Sequence, residues 1–527
     1  MTSITRHAPP PLLAGLTFGL TGLLLLPLLF IVYLAASAGG TVWQRLWATR
    51  IPELLANTGA LAAGVAIGTV VLGLSIAWLV VRYEFPGRRF WEWALVLPLA
   101  IPTYVLAYVY ASVLGAGGPA EQAWQALTSP DSSLPSPHSF WGATWVMTLD
   151  TFPFVYLLAR SALLGFNASF EEVARACGVS RLQRWRGVIL PLMRPAMVAG
   201  LSLVLLYVVS DFGAVSILRY QTFTYAVYQQ ITGRFDHAAA AALSLLLVGS
   251  TLLFLVAEQW FRTRCRFYQT TGRYRTVARR RLAPRQALAA TGYLGTVFAA
   301  SFALPVAVLS VWSVDAVAEG ALDGRFAGYL WNSAVLSALA ATLALVAGAP
   351  LAYMASRWPT RVNVVCVQAA YAGYVLPGPV GALALLVLVT TLAPFWHATI
   401  VVLILAYVIH FLPAGLQSLE PALKQITPNL EEAARSLGAG AWHSFHAITL
   451  PLVKNGFLAA WILVFVQCVK ELPATLLLRP VGFDTLAVRV WLEASEELYR
   501  LAAPSALLIV LMTMPAVYLL VARERAA

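Results

Sequence analysis

The sequence predicts an all-α polytopic membrane protein, with about twelve transmembrane helices arranged as two parallel six-span repeats. Three observations lead to this fold class: the composition, the length of the apolar segments and a duplicated polar motif. Of the 527 residues, 60% are hydrophobic and only 11% are charged, whereas about 25% of the residues in a soluble domain are charged. The mean hydropathy of +0.76 also places the chain among membrane proteins.

Several apolar stretches are longer than the roughly 20 residues that a helix needs to cross a bilayer. No strand-length alternation of polar and apolar residues runs through them, so helices are the expected spanning elements. The first stretch is too long for the core of a signal peptide and is predicted to remain an uncleaved span. The candidate spans are roughly 12–35, 56–81, 93–115, 139–161, 189–210, 238–261, 287–312, 333–355, 364–391, 397–416, 453–470 and 502–521.

The positive charge of the chain follows the predicted topology. The net charge is +12, and only three of the 35 basic residues are lysines. The arginines cluster in the loops after spans two, four, six and eight and after the last span, and all these segments lie on one side of a twelve-span arrangement. This bias is the positive-inside rule, and it predicts that both termini are cytoplasmic. Topology therefore explains the basic character better than nucleic-acid binding does.

The two halves of the chain repeat each other. Arg82 matches Arg357 at an offset of 275 residues, and Asp211 matches Glu471 at an offset of 260. The offset changes because the external loop 116–138 is long in the first half and short in the second, and loops tolerate such insertions. The repeat predicts a first six-span half at 1–262, a basic cytoplasmic linker at 263–286 and a second six-span half at 287–527.

A polar motif occurs once in each half, near 169–191 and near 429–451. The first copy contains Glu172-Val173-Ala174, Gly178 and Val188-Ile189-Leu190-Pro191, and the second contains Glu432-Ala433-Ala434, Gly438 and Ile448-Thr449-Leu450-Pro451. Capping-box spacing predicts that Ser169 and Asn429 begin a helix. Glu171 with Arg175, and Glu431 with Arg435, have the spacing of i,i+4 ion pairs on that helix. A left-handed glycine ends such a helix, and proline suits the first turn of the next one. Each copy therefore predicts a rigid helix–turn–helix elbow next to a spanning helix.

Polar pairs near the start of spans two and eight have a simpler interpretation. Asn57-Thr58 and Asn332-Ser333 occupy matching positions in the two halves. Asparagine and the hydroxyl residues are favoured N-caps. We therefore expect both pairs to cap helices at the membrane surface.

The duplicated motif resembles the EAA loop of binding-protein-dependent ABC importer permeases of the MetI-like, six-span type. The resemblance covers nearly the whole chain, once per half, and the first copy departs from the pattern only at Val173. It implies that each elbow docks into a groove on an ATP-hydrolysing subunit. The residues to which the resemblance assigns this coupling are Glu172, Ala174, Gly178, Glu432, Ala433, Ala434 and Gly438.

The chain has no P-loop. That motif needs a lysine followed by serine or threonine, but the three lysines precede Gln425, Asn455 and Glu471. We therefore expect a transport subunit and not an enzyme, with no catalytic residues and no bound cofactor. The resemblance implies two copies of an ATPase subunit that carry ATP and Mg²⁺, a periplasmic substrate-binding protein and membrane lipid as partners, and no nucleic acid.

The segments 210–216 and 470–480, at the ends of spans five and eleven, resemble those of fused ferric-iron permeases. This resemblance implies a permease that carries ferric iron across a bacterial inner membrane. Asp211, Lys470 and Glu471 end spans that should line the pathway, and ionisable groups at membrane depth often mark pathways. A role in the pathway, docking of the binding protein and a purely structural role all remain open for these residues. No group of side chains predicts a metal-ligand site.

Two alternatives remain. The first is a permease of the same class for thiamine, polyamine or another small solute, although the corresponding segments of thiamine and polyamine permeases look less similar to 210–216 and 470–480. An ion-coupled secondary transporter also uses internal repeats and expects a carboxylate near mid-membrane, for which Asp150 is the nearest candidate. That second alternative leaves the duplicated elbow unexplained.

Overall fold

The computed structural model describes residues 9–264, 279–320, 322, 324–371, 373 and 376–526, and these residues are mostly helical. Because lipid offers no hydrogen-bond partner to the backbone, an apolar segment in a bilayer satisfies its own N–H and C=O groups as a helix. The helices that are long and apolar enough to span a membrane are Pro11–Ser37, Ile51–Arg82, Phe140–Leu164, Arg181–Ser210, His237–Val256, Pro284–Ala318, Phe326–Arg357, Ile400–Lys424, Phe445–Val469 and Tyr499–Leu519.

The third predicted span is broken. Helical segments Arg88–Ala100 and Thr103–Leu127 meet at an angle of 92°. Ile101 between them is extended, as expected for a residue before proline. With this pair counted as one span, the part of the chain that the structure describes has up to eleven candidate spans. The predicted number of twelve therefore stays a prediction.

Shorter elements join the long helices. Two parallel two-residue strands pair Tyr83 with Arg280 and Glu84 with Arg281. Residues 265–278 of the predicted linker lie outside the described residues. The remaining short helices are Gly39–Thr49, Arg88–Ala94, Leu97–Ala100, Thr103–Leu114, Pro119–Leu127, Ala168–Ala176, Gly213–Ile217, Phe223–Thr232, Arg361–Ala370, Gly378–Leu392, Pro394–Trp396, Pro428–Ser436, Ala441–Ser444, Pro473–Leu478 and Leu486–Ser495.

Among the described residues, three long helices contain a π-helical turn. The turns are Trp185–Ile189, Ala299–Ala303 and Phe445–Thr449. Each one is followed directly by a Leu-Pro pair that continues the helix. Proline lacks an N–H group, and its ring clashes with the carbonyl group of the residue four positions earlier. The wider turn lets the helix pass the proline, so each elbow runs without a break into the following span.

The described chain forms two compact units, of which one comprises Met1–Leu46, Val227–Val248 and Asp323–Arg489. Its centre is a bundle of Phe326–Arg357, Ile400–Lys424 and Leu450–Val469. The first helix of the chain, Pro11–Ser37, packs on this bundle and on the neighbouring Gly378–Leu392. The hydrophobic core of this unit includes Leu345, Leu412 and Val464.

The other unit comprises Trp47–Ala226, Gly249–Leu322 and Val490–Ala527. Its bundle contains the corresponding helices of the first repeat, Ile51–Arg82, Phe140–Leu164 and Leu190–Ser210. Two of them approach closely at Gly73, where a Cβ atom would lie 2.8 Å from the side chain of Val155. Each compact unit thus contains helices from both sequence halves. The domain boundaries inferred from the repeat stay a prediction about the sequence duplication.

Candidate functional site

Both elbow helices end at a glycine in the left-handed conformation. The first elbow helix is Ala168–Ala176, and Gly178 follows it with φ of 73°. The second elbow helix is Pro428–Ser436, and Gly438 follows it with φ of 88°. In both, the N–H group one residue after the glycine donates back across the turn, from Val179 to Ala174 O at 3.1 Å and from Ala439 to Ala434 O at 3.0 Å. The predicted glycine stops are confirmed.

The predicted starts of the elbow helices are wrong by one or two residues. Asn167, not Ser169, is the N-cap of the first elbow helix, and its Oδ1 accepts a hydrogen bond from Ser169 N at 3.1 Å. The second elbow helix begins at Pro428, so Asn429 lies inside its first turn. The predicted capping-box spacing misplaced both starts because an earlier asparagine or proline also begins a helix well.

The faces that carry the motif are largely open. Glu172, Gly178, Glu432, Ala433 and Gly438 are exposed, and Ala174 and Ala434 are half-buried. Apolar side chains extend this surface, since Val173 is 62% exposed and Leu437 is 89% exposed. An apolar surface bordered by carboxylates is typical of an interaction site. The coupling role of these residues stays a prediction.

An ion pair between buried Arg82 and half-buried Glu171 anchors the first elbow helix to the helix that Arg82 ends. Arg82 Nη1 lies 2.6 Å from Glu171 Oε2, and Arg175 Nη2 lies 3.3 Å from Glu171 Oε1. The Arg82 guanidinium also lies over the rings of Trp78 and Phe166, at 4.7 Å and 5.4 Å from their centroids. Cation–π contacts of this kind stabilise a desolvated arginine.

The second elbow helix has the same anchor with more hydrogen bonds. Arg357 Nη2 and Nε donate to Glu431 Oε1 at 2.7 and 3.1 Å, and Arg357 Nη1 donates to Ile426 O at 2.9 Å. Glu431 also accepts from Tyr353 Oη at 2.9 Å and from Thr449 Oγ1 at 2.7 Å. The Arg357 and Glu431 side chains are only 6% and 4% exposed. A buried pair of this kind needs such complete hydrogen bonding to offset its loss of water.

The two anchors are equivalent in sequence and in electrostatics. Arg82 and Arg357 match at the offset of 275, while Glu171 and Glu431 match at 260. Burial alone would raise the pKa of each glutamate, but hydrogen bonding and the charge of its arginine outweigh burial and lower the pKa below its ordinary value. Both carboxylates are therefore ionised at neutral pH, and each holds its elbow to a long helix.

Two further carboxylates lie at the opposite ends of the spans that follow the elbows. Asp211 Oδ1 accepts from Ala214 N at 3.0 Å, and Glu471 Oε1 accepts from Ala474 N at 3.0 Å. Each thus satisfies an N–H group in the first turn of the short helix that follows it. Asp211 Oδ2 also accepts from Thr103 Oγ1 at 2.6 Å.

The size of the residue that faces each carboxylate matches the length of the acidic side chain. Gly378 is the counterpart of Thr103 at the offset of 275. A Cβ atom there would lie 3.3 Å from Glu471 Oε1 and 2.6 Å from Pro473 Cγ. The longer glutamate thus faces a glycine, while the shorter aspartate reaches a threonine hydroxyl. This geometry gives both carboxylates a structural role, and the pathway or docking role of Asp211, Lys470 and Glu471 stays a prediction.

The polar pairs near the start of the second and eighth predicted spans do not cap their own helices. Their helices begin at Ile51 and Phe326, so the pairs lie inside them. Thr58 Oγ1 instead accepts from Phe223 N at 3.3 Å, and Ser333 Oγ accepts from Leu486 N at 2.8 Å. Each hydroxyl satisfies the first N–H group of a short helix distant in sequence. The N-cap interpretation was wrong because the preceding helical turn was missed.

The family described as "Binding-protein-dependent transport system inner membrane component" matches the chain twice, over residues 69–266 and 342–523. Each match contains one elbow and its anchor. The chain belongs to this family. It is accordingly a multi-pass inner-membrane permease subunit of an ABC importer and not a catalytic enzyme.

Similar proteins support this assignment along the whole permease. The Fe(3+)-transport system permease protein FbpB 2 of Haemophilus influenzae is 33% identical over 516 residues, which are 97% of this chain and 98% of that protein. The ferric transport system permease protein FbpB of Actinobacillus pleuropneumoniae is 23% identical over 489 residues, or 88% and 70% of the two chains. The sulfate transport system permease protein CysT of Salmonella typhimurium is 29% identical over 266 residues, or 48% and 94%.

Sequence reasoning on the permease found the elbows but not the anchors. Arg82 and Arg357 were recognised as matching residues, whereas Glu171 and Glu431 were considered only as partners of the arginines four positions later. The bond between Glu171 and Arg175 is present, and the side chain of Arg435 lies outside the described part of the chain. The sequence did contain a signal for the anchors. An arginine at the end of an apolar span and a glutamate in the elbow are both present at matching positions in the two halves.

Removal of the second anchor arginine should loosen the second elbow. Arg357→Ala leaves Glu431 buried without its cation, and breaking a buried pair from one side costs about 3–5 kcal/mol. Hydrogen exchange of amides in residues 429–438 should therefore become at least about a hundredfold faster.

Two controls make this measurement specific. Arg361→Ala, at an exposed position, should leave the exchange unchanged. Arg357→Ala combined with Glu431→Ala should recover part of the protection, because neither charge then remains unpaired. Equal exchange in Arg357→Ala and Arg361→Ala would contradict the anchor.

The close packing at Gly378 gives a second prediction. Gly378→Ala should destabilise the permease by about 1–3 kcal/mol, since the added methyl group meets the rigid ring of Pro473. Gly381→Ala in the same helix is the matched control, because its Cβ atom would come no closer than 4.0 Å to Leu376. A third variant combines Gly378→Ala with Pro473→Gly, so that position 473 carries the same residue type as the equivalent Gly213. This combination should relieve the clash. Thermal unfolding in detergent measures all three variants, and equal unfolding temperatures for the two alanine variants would refute the argument.

Proposed function

We propose that this permease carries ferric iron inward across the membrane, after delivery by a periplasmic binding protein. The observation that supports the substrate is the match to a protein named as an Fe(3+)-transport permease, which extends over 98% of that protein and 97% of this chain. Both repeats and the linker between them are included. The proteins named as sulfate permeases match only about half of the chain.

The proposed topology has twelve spans with both termini in the cytoplasm, as two six-span repeats at 1–262 and 287–527 around the linker 263–286. The bent pair that ends in Thr103–Leu127 supports an eleventh span. Its counterpart at the offset of 275 begins at Gly378–Leu392, a shorter apolar helix. Read as part of a second broken span, that helix brings the total to twelve.

The elbows are the proposed contact with the ATPase. Two ATPase copies would each receive one elbow, through Glu172, Ala174 and Gly178 in the first repeat and through Glu432, Ala433, Ala434 and Gly438 in the second. ATP and Mg²⁺ would bind those partners, and this chain would bind no cofactor. The buried pair between Arg82 and Glu171, like that between Arg357 and Glu431, supports this role, because a displaced elbow would pull on a spanning helix.

The transport cycle would then follow from two states of the spanning helices. Closure of the ATPase subunits on ATP favours one state, and the loaded binding protein must favour the same state for the two to be coupled. Asp211, Lys470 and Glu471 are proposed to border the pathway or the docking surface for the binding protein. The binding protein would supply most of the substrate specificity.

Uptake assays test the proposed substrate. Vesicles that contain the permease and its ATPase should take up radiolabelled ferric iron only when ATP and the cognate binding protein are both present. Radiolabelled sulfate and thiamine should not accumulate. Uptake of either of these solutes in place of iron would refute the substrate, and uptake driven by an ion gradient without ATP would favour a secondary transporter.

The elbow glycines test the proposed coupling. Gly178→Val together with Gly438→Val forces β-branched residues into left-handed positions, at a cost of about 1–2 kcal/mol each. No atom lies within 4 Å of the Cβ positions, so the effect comes from the backbone alone. We expect the ATPase subunit to copurify in much smaller amounts.

Two matched variants control this experiment. Asparagine tolerates the left-handed region, so Gly178→Asn with Gly438→Asn should retain the ATPase. Gly187→Ala, in a helical turn with nothing within 4 Å, should retain it as well. Full copurification with both valine substitutions would contradict the coupling role.

A further inference from the structure

A cavity of about 540 Å³ lies beside the first elbow. Its walls come from the end of the helix that Arg82 terminates, from the elbow, and from the linker strand Arg280–Arg281. The strand is held there by the parallel pairing of Tyr83 with Arg280 and by a hydrogen bond of 3.2 Å from Leu282 N to Glu84 O. The linker thus forms one wall of the cavity beside the elbow.

The cavity is strongly positive. Two glutamates line it, and one of them, Glu171, is already paired with Arg82 and Arg175. The excess of four positive charges favours an anionic occupant. The lining arginines are Arg82, Arg175, Arg181, Arg184, Arg279 and Arg280.

Two of these guanidinium groups have N–H donors without a hydrogen-bond partner among the described residues. Arg82 is only 8% exposed, and its Nε and Nη2 atoms have no hydrogen-bond partner among the described residues. The same is true of Nε and Nη1 of Arg184. Buried donors without a partner are destabilising, so each such group calls for an acceptor. An anion in the cavity would supply acceptors to both arginines.

The second repeat shows that the elbow itself does not need this charge. Arg357, the counterpart of Arg82, uses all three of its nitrogens. At the offset of 260, Ser444 stands in place of Arg184 and Ala441 in place of Arg181. The second elbow therefore forms with neutral residues at these two positions, and the arginines of the first elbow have another use.

We propose that this cavity binds a phosphate-bearing anion, either the headgroup of an anionic phospholipid or a free phosphate compound. Arginine forks suit phosphate oxygens, because the planar guanidinium group can donate two parallel hydrogen bonds to them. Trp78 and Trp185 form an edge-to-face pair at the cavity wall, with centroids 6.3 Å apart, and tryptophan is enriched at membrane surfaces. This inference rests on the proposed cytoplasmic position of the elbows, where basic pockets next to spanning helices bind lipid headgroups.

Thermal unfolding of the purified, delipidated permease in neutral detergent tests the proposal. The probes are phosphatidylglycerol, phosphatidylcholine and inorganic phosphate. Phosphatidylglycerol should raise the unfolding temperature in a saturable manner, and phosphatidylcholine should not. Arg181→Ala with Arg184→Ser, the residues of the second repeat, should weaken the apparent affinity at least about tenfold, because charge-assisted hydrogen bonds are lost.

Two variants separate binding from general damage. Arg184→Lys keeps the charge and should retain most of the affinity. Arg186→Ser removes an exposed arginine of the same turn that does not line the cavity, and it should behave as the wild type does. A response to phosphatidylglycerol alone identifies a lipid site, whereas competition by inorganic phosphate identifies a site for free phosphate compounds.

The absence of a saturable response to either anion would overturn the proposal. So would equal responses from the wild type and the Arg181→Ala, Arg184→Ser variant. Loss of the ATPase from that variant with unchanged anion responses would mean that a partner side chain fills the cavity, and would also overturn it. Because the assay uses neither iron nor ATP, its failure leaves the transport function standing, and failed iron uptake leaves the anion result standing.

Discussion

The buried arginine–glutamate pair is the interaction on which the rest of the elbow depends. The elbow helices have only nine residues each, and helices of that length are marginal by themselves in water. Their position comes instead from Arg82 and Arg357, which extend from the ends of long, packed helices. Because a buried charge without its partner is very costly, the pair permits few alternative geometries. A short surface helix thereby becomes a fixed extension of a spanning helix.

The repeats keep this geometry while the chemistry around it changes. Trp78 packs edge to face on Trp185, and Tyr353 packs in the same way on Phe445. At the far ends of the spans that follow the elbows, aspartate with threonine in one repeat becomes glutamate with glycine in the other. In each case a change at one position is matched by a change at its contact. The two repeats therefore share the contacts between these positions, although the residues that make the contacts differ.

The features predicted correctly are those that depend on neighbouring residues. Gly178 and Gly438 predict a helix end, and the apolar runs predict spans. Each of these signals lies within a short stretch of sequence. The anchors were missed because Arg82 and Glu171 are 89 residues apart, and Arg357 and Glu431 are 74 apart. The bend of 92° at Ile101 was also missed, because hydropathy is averaged over a whole apolar segment and does not report a change of helix direction within it. The compact units mix both sequence halves, a matter of long-range packing that a repeat in the sequence does not report.

The two elbows differ in their contact with the linker. Both elbows have equivalent anchors and glycine stops, so an identical partner surface would fit either one. Of the two elbows as the structure describes them, the first has a linker strand against it and buried arginine donors without a hydrogen-bond partner. Any ligand of that cavity would act on one elbow and, through Arg82, on one long helix. A duplicated machine in a single chain can thus receive an unequal input, which two identical subunits in a symmetric dimer could not.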